Sequence, residues 1–379
     1  MLLYLCNLLW FVVSVVVGVL YVFLIVNYIR NWRKLPTSNL TRDTISHESA
    51  PEKITVVIPF RNEVEHLEKC LTSLQCQDLD PALWNCVLID DHSEDDSLKI
   101  AHQFPFQVLS LPNEVQGKKN ALNFAIAQAS GTIIVTSDAD CSYPKFWLTS
   151  IFKAYQANPH CMAMAAPVQL VSEQNSFFGM FQRLDFAGLM LITGAGFISG
   201  NGYMSNGANF SYRKSAYKAV GGFENIDQTA SGDDIQLLNK FVATFGKNGV
   251  YFLKSKDAIV STPVCNNFRS FWNQRIRWGT KNKMSSDLYL KFSLGLVYLL
   301  SFFIVANLLV GHFYLCFYLL AIKFISDYFL LKEASHFFGI KNLNLYFIPS
   351  QLFHTLYILL IGTSSIFIQR YEWKKRSQS

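Results

Sequence analysis

Thr132-Ile133-Ile134-Val135-Thr136-Ser137-Asp138-Ala139-Asp140-Cys141 is the stretch whose reading decides the fold. Thr132 to Val135 all favour the β conformation, and a short unbroken run of that kind reads as a buried strand of a parallel sheet. The run leads straight into two carboxylates, Asp138 and Asp140, separated by one small residue. In open α/β sheets, ligands bind beyond the carboxyl ends of the strands. Two acidic groups at i and i+2 in that place can share one hard divalent cation with phosphate oxygens. Taken alone, the pair is equally an ordinary surface turn, because Asp is common in turns. The neighbouring segments decide between the two.

Upstream, strands and helices alternate. Ile54–Pro59 reads as a first strand, and Glu63–Gln75 as a helix with apolar residues at Val64, Leu67, Leu71 and Leu74. Trp84–Ile89 is a second strand ending at Asp90-Asp91-His92-Ser93, with Ser93 the expected N-cap of an acidic helix start. Gln107–Leu109 is a short third strand, leading to Gly117-Lys118-Lys119-Asn120 and a helix through Ala129. This alternation predicts an α/β fold with a parallel-rich central sheet. No Gly-x-Gly-x-x-Gly follows the first strand, which sets aside a dinucleotide-dependent oxidoreductase, and no Gly-x-x-x-x-Gly-Lys-Ser/Thr loop marks an ATPase.

Downstream, Phe177–Gly207 is apolar and rich in glycine, with Gly188, Gly194, Gly196, Gly200 and Gly202 close together. It reads as a membrane-surface helix or a flexible floor under a bound substrate, and the glycines argue against a regular buried helix. Ser231-Gly232 ahead of Ile235, Leu237, Leu238 and Phe241 places Asp233 and Asp234 in a first helical turn, where they would at least compensate the helix dipole. Gln274, Arg277 and Trp278 share one helical face by their i, i+3 and i+4 spacing. With Arg275, Lys281 and Lys283 beside them, they also suit a basic, aromatic segment at a membrane surface.

In order, Pro59-Phe60-Arg61-Asn62-Glu63, Asp90-Asp91-His92-Ser93, Gly117-Lys118-Lys119, Asp138-Ala139-Asp140, Ser231-Gly232-Asp233-Asp234 and Gln274-Arg275-Ile276-Arg277-Trp278 resemble the blocks of a family 2 glycosyltransferase. The last two resemble the acidic and Gln-x-x-Arg-Trp motifs of its membrane-embedded branch, which includes cellulose and hyaluronan synthases. The resemblance spans about residues 54–280 and implies a GT-A (nucleotide-diphospho-sugar transferase) domain. It also implies roles for particular residues. Asp90 or Asp91 would accept the N–H of a nucleobase, with Glu63 and Lys118 near the donor nucleotide and Asp138 on its diphosphate. Asp138 and Asp140 would hold Mg2+ or Mn2+, between which the residues do not choose. Asp234 would be the general base of an inverting transfer. Asp233 stands where the family usually has Glu, a shorter arm on the acceptor side. Arg277 could pair with diphosphate oxygens and Trp278 could stack on a sugar ring. Gly207-Ala208-Asn209-Phe210-Ser211-Tyr212-Arg213 resembles the acceptor-side segment, which makes Asn206 and Asn209 candidate sugar contacts.

Charge is scarce for the length. Of 379 residues, 51% are apolar and only 16% charged, where a soluble domain has about a quarter charged. The deficit lies at the two ends. No charged residue precedes Arg30, and Leu8–Ile29 is long enough to cross a bilayer. Arg30, Arg33 and Lys34 follow it, so the positive-inside rule puts the next domain in the cytoplasm. Phe292–Val310, His312–Leu331 and Leu343–Ile368 can each cross again, with a turn at Gly311 and Pro349 near the start of the last. Lys323 and Asp327, four apart, could neutralise each other inside the bundle. Three crossings would leave the C-terminus outside, against the basic Lys374-Lys375-Arg376.

Eight cysteines with no Cys-x-x-Cys read as small buried apolar residues, neither metal ligands nor disulfides. The net charge of +6 is largely membrane-flanking and needs no nucleic acid. The expected layout is an anchor at 1–30, a linker at 31–52, a cytosolic GT-A domain at 53–284, a membrane region at 285–370 and a basic tail at 371–379. The expected partners are a UDP- or GDP-linked sugar donor, a lipid or growing-glycan acceptor, and the bilayer. Gln-x-x-Arg-Trp leans towards chain extension, while few crossings leave single transfer to a lipid open. The rival reading is a non-catalytic membrane subunit that binds nucleotide or a partner through the same fold.

Overall fold

The structure is a computed structural model and describes residues 1–38, 52–174, 176–224, 226, 232–283, 287–367, 371–373 and 376–378. Ser231, Ile368, Lys374, Lys375 and most of the expected linker lie outside these. The chain divides into two compact units, one of residues 36–171 and 203–263 and the other of residues 1–35, 172–202 and 264–379. Residues 172–202 and 264–283, inside the expected 53–284 domain, therefore sort with the second unit.

The first unit is built on a seven-stranded sheet. In chain order it contains β1 (Ile54–Phe60), α2 (Leu67–Gln75), β2 (Trp84–Asp90), α3 (Ser97–Ala101), β3 (Gln107–Ser110), α4 (Lys118–Gln128) and β4 (Ile133–Thr136). Then come α5 (Trp147–Ala157), β5 (Ala163–Ala165), β6 (Val168–Val171), β7 (Phe210–Arg213), α7 (Lys214–Ala219), α8 (Asp233–Phe245), β8 (Val250–Phe252) and β9 (Val260–Pro263). The order across the sheet is β3-β2-β1-β4-β7-β5-β8. β3, β2, β1 and β4 are mutually parallel, whereas β7 runs antiparallel between β4 and β5. β6 and β9 form a separate parallel pair.

Why β1 is central follows from its side chains. All seven residues of Ile54–Phe60 are buried, as befits a β-branched run covered on both faces. Its neighbour β4 approaches closely at Gly131, where a Cβ would lie 2.6 Å from the Lys53 carbonyl oxygen and the Thr55 nitrogen. The space goes to a hydrogen bond from the Gly131 N–H to Thr55 Oγ1 (2.8 Å). Because β1, β2 and β4 are parallel, the loops after them leave the same sheet edge. β7 is antiparallel, so its entry, the single turn Gly207–Asn209, arrives at that edge too.

Two local expectations change. The first helix starts at Leu67 rather than Glu63, because Glu63 instead opens a turn whose carbonyl accepts from His66 and Leu67. Ser93 is not the cap of the next helix. That helix begins at Ser97, whose N–H donates to Asp95 Oδ1 (3.0 Å), while Ser93 Oγ accepts from the Asn62 N–H (3.1 Å).

The second unit is helical: α1 (Leu2–Lys34), α6 (Phe177–Ser199), α9 (Phe268–Lys283), α10 (Leu288–Val310), α11 (Phe313–Phe338) and α12 (Leu343–Phe367). A short antiparallel pair follows, β10 (Tyr371–Trp373) with β11 (Arg376–Gln378). Within the described residues, four helices are long and apolar enough to cross a membrane: Tyr4–Lys34, Leu288–Val310, Phe313–Phe338 and Leu343–Ser365. Gly311 closes α10 in the left-handed conformation, so α10 and α11 form a helical hairpin, and Pro349 lies inside α12. Lys323 does pair with Asp327, and it also donates to Gln351 Oε1 (2.7 Å), while Tyr21 Oη donates to Asp327.

The glycine-rich stretch overturns its expectation. It forms a regular 23-residue helix, α6, capped by Ser176 Oγ on the Gly179 N–H and ended by left-handed Gly200. The glycines serve packing. A Cβ on Gly188 would sit 3.2 Å from Leu331 and 3.3 Å from Leu330 of α11, and one on Gly196 would sit 2.8 Å from the Gly202 carbonyl oxygen. Close packing outweighs the roughly 1 kcal/mol that each helical glycine costs.

Candidate active site

At the sheet edge, the loops after β1 and β2 are stitched together. Arg61, buried, donates from Nη1 to the Asp91 carbonyl (3.0 Å) and from Nη2 to Glu94 Oε1 (3.0 Å). Asn62 Oδ1 accepts from the Glu94 N–H (2.8 Å). Asn62 and His92 both hold positive φ (50° and 60°), a conformation that Asn and His enter more readily than most residues. Glu63 sits on this stitched wall, its N–H donating to Ser97 Oγ (2.7 Å).

Asp90 and Asp91 are both buried, at 5% and 2% exposure. Asp90 Oδ1 accepts from the Ser93 N–H (3.1 Å) and Asp91 Oδ1 from the Gly117 N–H (3.0 Å). Burial pushes the Asp91 carboxyl above the usual carboxylate range, although Gly117 N–H, Arg61 and His92 all pull the other way. Gly117 has φ +100°, open to glycine alone at little cost, and this turn starts α4 with Lys118 as its first residue.

Lys118 Nζ makes a short ion pair with Asp138 Oδ1, and both side chains are about one-third exposed (34% each). Burial pulls the Lys118 ammonium down, but the charges of Asp138, then Asp234 and Asp233, outweigh it and leave its pKa raised. Opposite, Asp233 and Asp234 open α8, as expected. Asp234 Oδ2 accepts from the Gly207 N–H (3.0 Å). Asp233 faces Lys119 Nζ at 3.4 Å; burial raises its carboxyl above the usual range, with Lys119 partly offsetting this. A Cβ on Gly207 would lie 3.5 Å from Lys118 Nζ and 3.9 Å from Asp234 Cβ. Asp138, Lys118, Gly207 and Asp234 therefore converge on one spot. Ser137 Oγ, donating to the Ala208 carbonyl (2.7 Å), fixes the register that brings them there.

A divalent metal is the cofactor that the resemblance implies at Asp138 and Asp140. No group of three or more His, Cys, Asp and Glu side chains converges as a ready ligand set among the described residues. Two half-buried carboxylates one residue apart suit instead an ion that completes its shell with diphosphate oxygens and water, as Mg2+ does. Around them, four carboxylates (Asp138, Asp140, Asp233, Asp234) face two ammonium groups (Lys118, Lys119), leaving formally the negative charge that one divalent cation balances. The residues fit the ion.

Asn209 is corrected. It is 1% exposed, its Oδ1 accepts from Trp147 Nε1 (3.0 Å), and its Nδ2 donates to the carbonyls of Pro167 and Ala258 (2.8 Å each). It braces the turn rather than meeting a sugar. Asn206 Oδ1 caps the Ala208 N–H (3.0 Å).

Gln274, Arg277 and Trp278 belong to the helical unit, on α9. There Trp278 packs on Phe186 (5.6 Å between centroids) and under the Arg275 guanidinium (4.3 Å). Arg275, nearly fully buried, pairs with Asp185 Oδ2 (3.0 Å), whose other oxygen is 3.8 Å from His354 Nε2. Sequence reasoning missed four residues: Arg61 as the loop clamp, Gly207 as the contact point, Lys119 as the partner of Asp233, and Arg275 as the buried cation. Only Lys119 carried a signal, by standing beside Lys118 after a helix-starting glycine.

Residues 55–221 match the family described as Glycosyl transferase family 2. Among curated proteins, glycosyltransferase AglE of Haloferax volcanii is 34% identical over 100 residues, covering 25% of this chain and 33% of that protein. An undecaprenyl-phosphate 4-deoxy-4-formamido-L-arabinose transferase of Salmonella choleraesuis is 35% identical over 105 residues, covering 26% and 32%. The matched segments thus span about a third of the length of these relatives. Among solved structures, the mannosyltransferase PcManGT from Pyrobaculum calidifontis, in complex with GDP-Man and Mn2+, aligns over 95% of this chain and 97% of its own. The TM-score is 0.55 at 17% identity, a likeness of fold. The parallel-rich sheet with its flanking apolar helices is a GT-A-like fold. Within it, residues 55–221 carry the likeness to glycosyl transferase family 2.

Proposed function

We propose that the protein is a membrane-bound, metal-dependent, inverting glycosyltransferase of the Gln-x-x-Arg-Trp branch. It moves a sugar from a nucleoside-diphosphate donor to a hydroxyl of a lipid or growing glycan at the cytoplasmic face. The convergence of Asp138, Lys118 and Asp234 about Gly207 carries this reading. It sets a cation-and-carboxylate pair for a diphosphate beside a carboxylate for an acceptor. The relatives' names and the nucleotide-sugar ligand of PcManGT point the same way, and Arg30, Arg33 and Lys34 at the end of α1 support the cytoplasmic side.

In the reaction, the acceptor oxygen attacks the anomeric carbon as the carbon–oxygen bond to the diphosphate breaks, and the electron pair leaves with the diphosphate. Asp234, whose Oδ2 accepts from the Gly207 N–H, takes the hydroxyl proton. Asp233, held against Lys119, keeps the start of α8 in register. The wall of Asp90, Asp91 and Glu63 borders the nucleotide, with Asp90 or Asp91 meeting its base. Asp138 and Asp140 would hold Mg2+ or Mn2+, which when bound neutralises charge on the departing diphosphate. Arg277 and Trp278 are assigned to diphosphate and sugar.

The test is binding of a panel of UDP- and GDP-sugars to the purified full-length protein, with and without Mg2+ or Mn2+. Metal-dependent binding of one donor, lost in Asp138→Asn/Asp140→Asn, is the expected result; no binding of any donor in lipid nanodiscs would sink the proposal and favour a non-catalytic subunit. Asp234→Asn should keep donor binding and lose transfer by at least a hundredfold. The name of the Salmonella relative motivates a second reading, a phosphate acceptor. A phosphate oxygen is already ionised and needs no base, so full transfer by Asp234→Asn would select it. Product length then separates one addition from many.

A further inference from the structure

The ammonium of Lys118 lies on a carboxylate assigned to the metal. It feels the charges of Asp138, Asp234 and Asp233, and Gly207 lies alongside, where an added Cβ would be 3.5 Å from Nζ. Its position at the first residue of α4 is fixed by the Gly117 turn, which the Asp91 carboxylate anchors. The four-carbon stem beyond that point is free to redirect a compact point charge.

We infer that Lys118 is a built-in counter-cation that occupies Asp138 in place of the metal and makes metal binding conditional on the diphosphate. This rests on the proposed transferase reading for the ligand, though not for the ion pair itself. The argument is one of competing charges. A dication arriving alone at Asp138 and Asp140 meets an ammonium already paired to one of its two protein ligands, and the like charges repel at close range. A diphosphate changes the balance, because its oxygens offer Lys118 a charge-assisted partner at the N-terminus of α4, where backbone N–H groups already favour anions. The ammonium moves from Asp138 to the diphosphate, and the carboxylate it vacates takes the metal. Metal and donor then bind as a unit, and either alone binds weakly.

The experiment measures Mn2+ affinity directly, by electron paramagnetic resonance of free Mn2+, on the full-length protein in nanodiscs. It compares wild type, Lys118→Met, Lys118→Gln and Lys118→Arg, each alone and with saturating UDP or GDP. Wild type and Lys118→Arg should bind Mn2+ at least tenfold tighter with the diphosphate than without. Lys118→Met and Lys118→Gln should bind Mn2+ alone at least tenfold tighter than wild type does alone, and Asp138→Asn/Asp140→Asn should abolish this gain. If the neutral variants bind Mn2+ alone no tighter than wild type, or if the gain survives loss of Asp138 and Asp140, the inference is wrong. Failure of the transferase reading shows separately, as wild type that binds neither diphosphate with Mn2+ present. The neutral variants still decide the ion-pair question in that case. Two neutral side chains of different shape guard against one failing to fold, and circular dichroism at the working temperature selects those that do.

Discussion

Asp234 and Asn209 show how two polar residues of neighbouring segments part company. Asp234 is half-buried at the start of α8, its Oδ2 accepting from the Gly207 N–H at the sheet edge. Asn209 has its whole carboxamide committed: one acceptor and two donor bonds, all to groups inside the protein. Asn209→Ala should therefore strand the Trp147 indole N–H and the Ala258 carbonyl, while the Pro167 carbonyl keeps the Val260 N–H (3.1 Å). With roughly 1–3 kcal/mol for each buried group left unpaired, the expected loss is about 3 kcal/mol after relaxation. Thermal or denaturant unfolding of the purified protein measures it, and a loss under about 1 kcal/mol would mean that water replaces the amide. Asp234→Asn, by contrast, should leave the melting temperature nearly unchanged. In the sequence, Asn209 reads as a candidate sugar contact because its segment resembles the acceptor side, and Asp234 as the general base. What separates them is tertiary: Trp147 arrives from α5 and Ala258 from the approach to β9.

Among the elements, β1 meets the chain entering β4 at a close approach, with Thr55 serving as the junction. Its Oγ1 accepts from Gly131 and donates to Asn85 Oδ1 (2.7 Å), tying β4, β1 and β2 in one chain. Gly131→Ala would thrust a methyl against backbone atoms, which cannot swing aside as a side chain can. It should cost about 2 kcal/mol by overpacking, read as a lower unfolding midpoint, and an unchanged midpoint would show that the strands can part there. The four parallel strands β1 to β4 were legible in the sequence because apolar runs end in polar turns, whereas the three-residue or four-residue β5, β7 and β8 were too short to stand out. The glycine-rich α6 was not legible, since helix propensity speaks only for an isolated helix, while Gly188 and Gly196 are where other backbone and side chains come in. The misread cap at Ser93 has the same origin: the local rule named the right kind of residue, but the cross-loop bond to Asn62 had the stronger claim. The Lys118–Asp138–Asp234 convergence was also hidden. It depends on β7 entering antiparallel, and no residue pattern announces that.

On the scale of the whole molecule, the helical unit buries two clusters of charged residues. Lys323, Asp327, Gln351 and Tyr21 form one buried chain of hydrogen bonds across α11, α12 and α1, while Arg275, Asp185 and His354 make a second cluster joining α9, α6 and α12. Such pairs are weak as net stabilisers but costly to break singly. Asp327→Ala should thus cost about 3–5 kcal/mol by stranding the Lys323 ammonium. The double variant Lys323→Met/Asp327→Leu should regain most of that, apart from the lost partners of Tyr21 and Gln351. Thermal unfolding in one detergent compares the three. A double variant as unstable as the single one would show that the network, not the unpaired charge, matters. The four helices long and apolar enough to cross a membrane were legible from length and apolarity. These clusters were legible only as Lys323 with Asp327, because that pair alone is four apart on one helix.

The antiparallel β7, set between β4 and β5, also has a consequence for how the protein is made. β4 is complete once Thr136 has left the ribosome, but the strand that covers its edge starts at Phe210, roughly seventy residues later. At about 5–20 residues per second, synthesis leaves that edge bare for several seconds. During this interval the apolar α6 is also emerging. An unpaired strand edge and an unshielded apolar helix coexist on one nascent chain, which is the pairing most prone to misassociation. Early delivery of α1 to the bilayer, with the remaining chain tethered at its surface, would place α6 beside its own partner before any other chain could reach it.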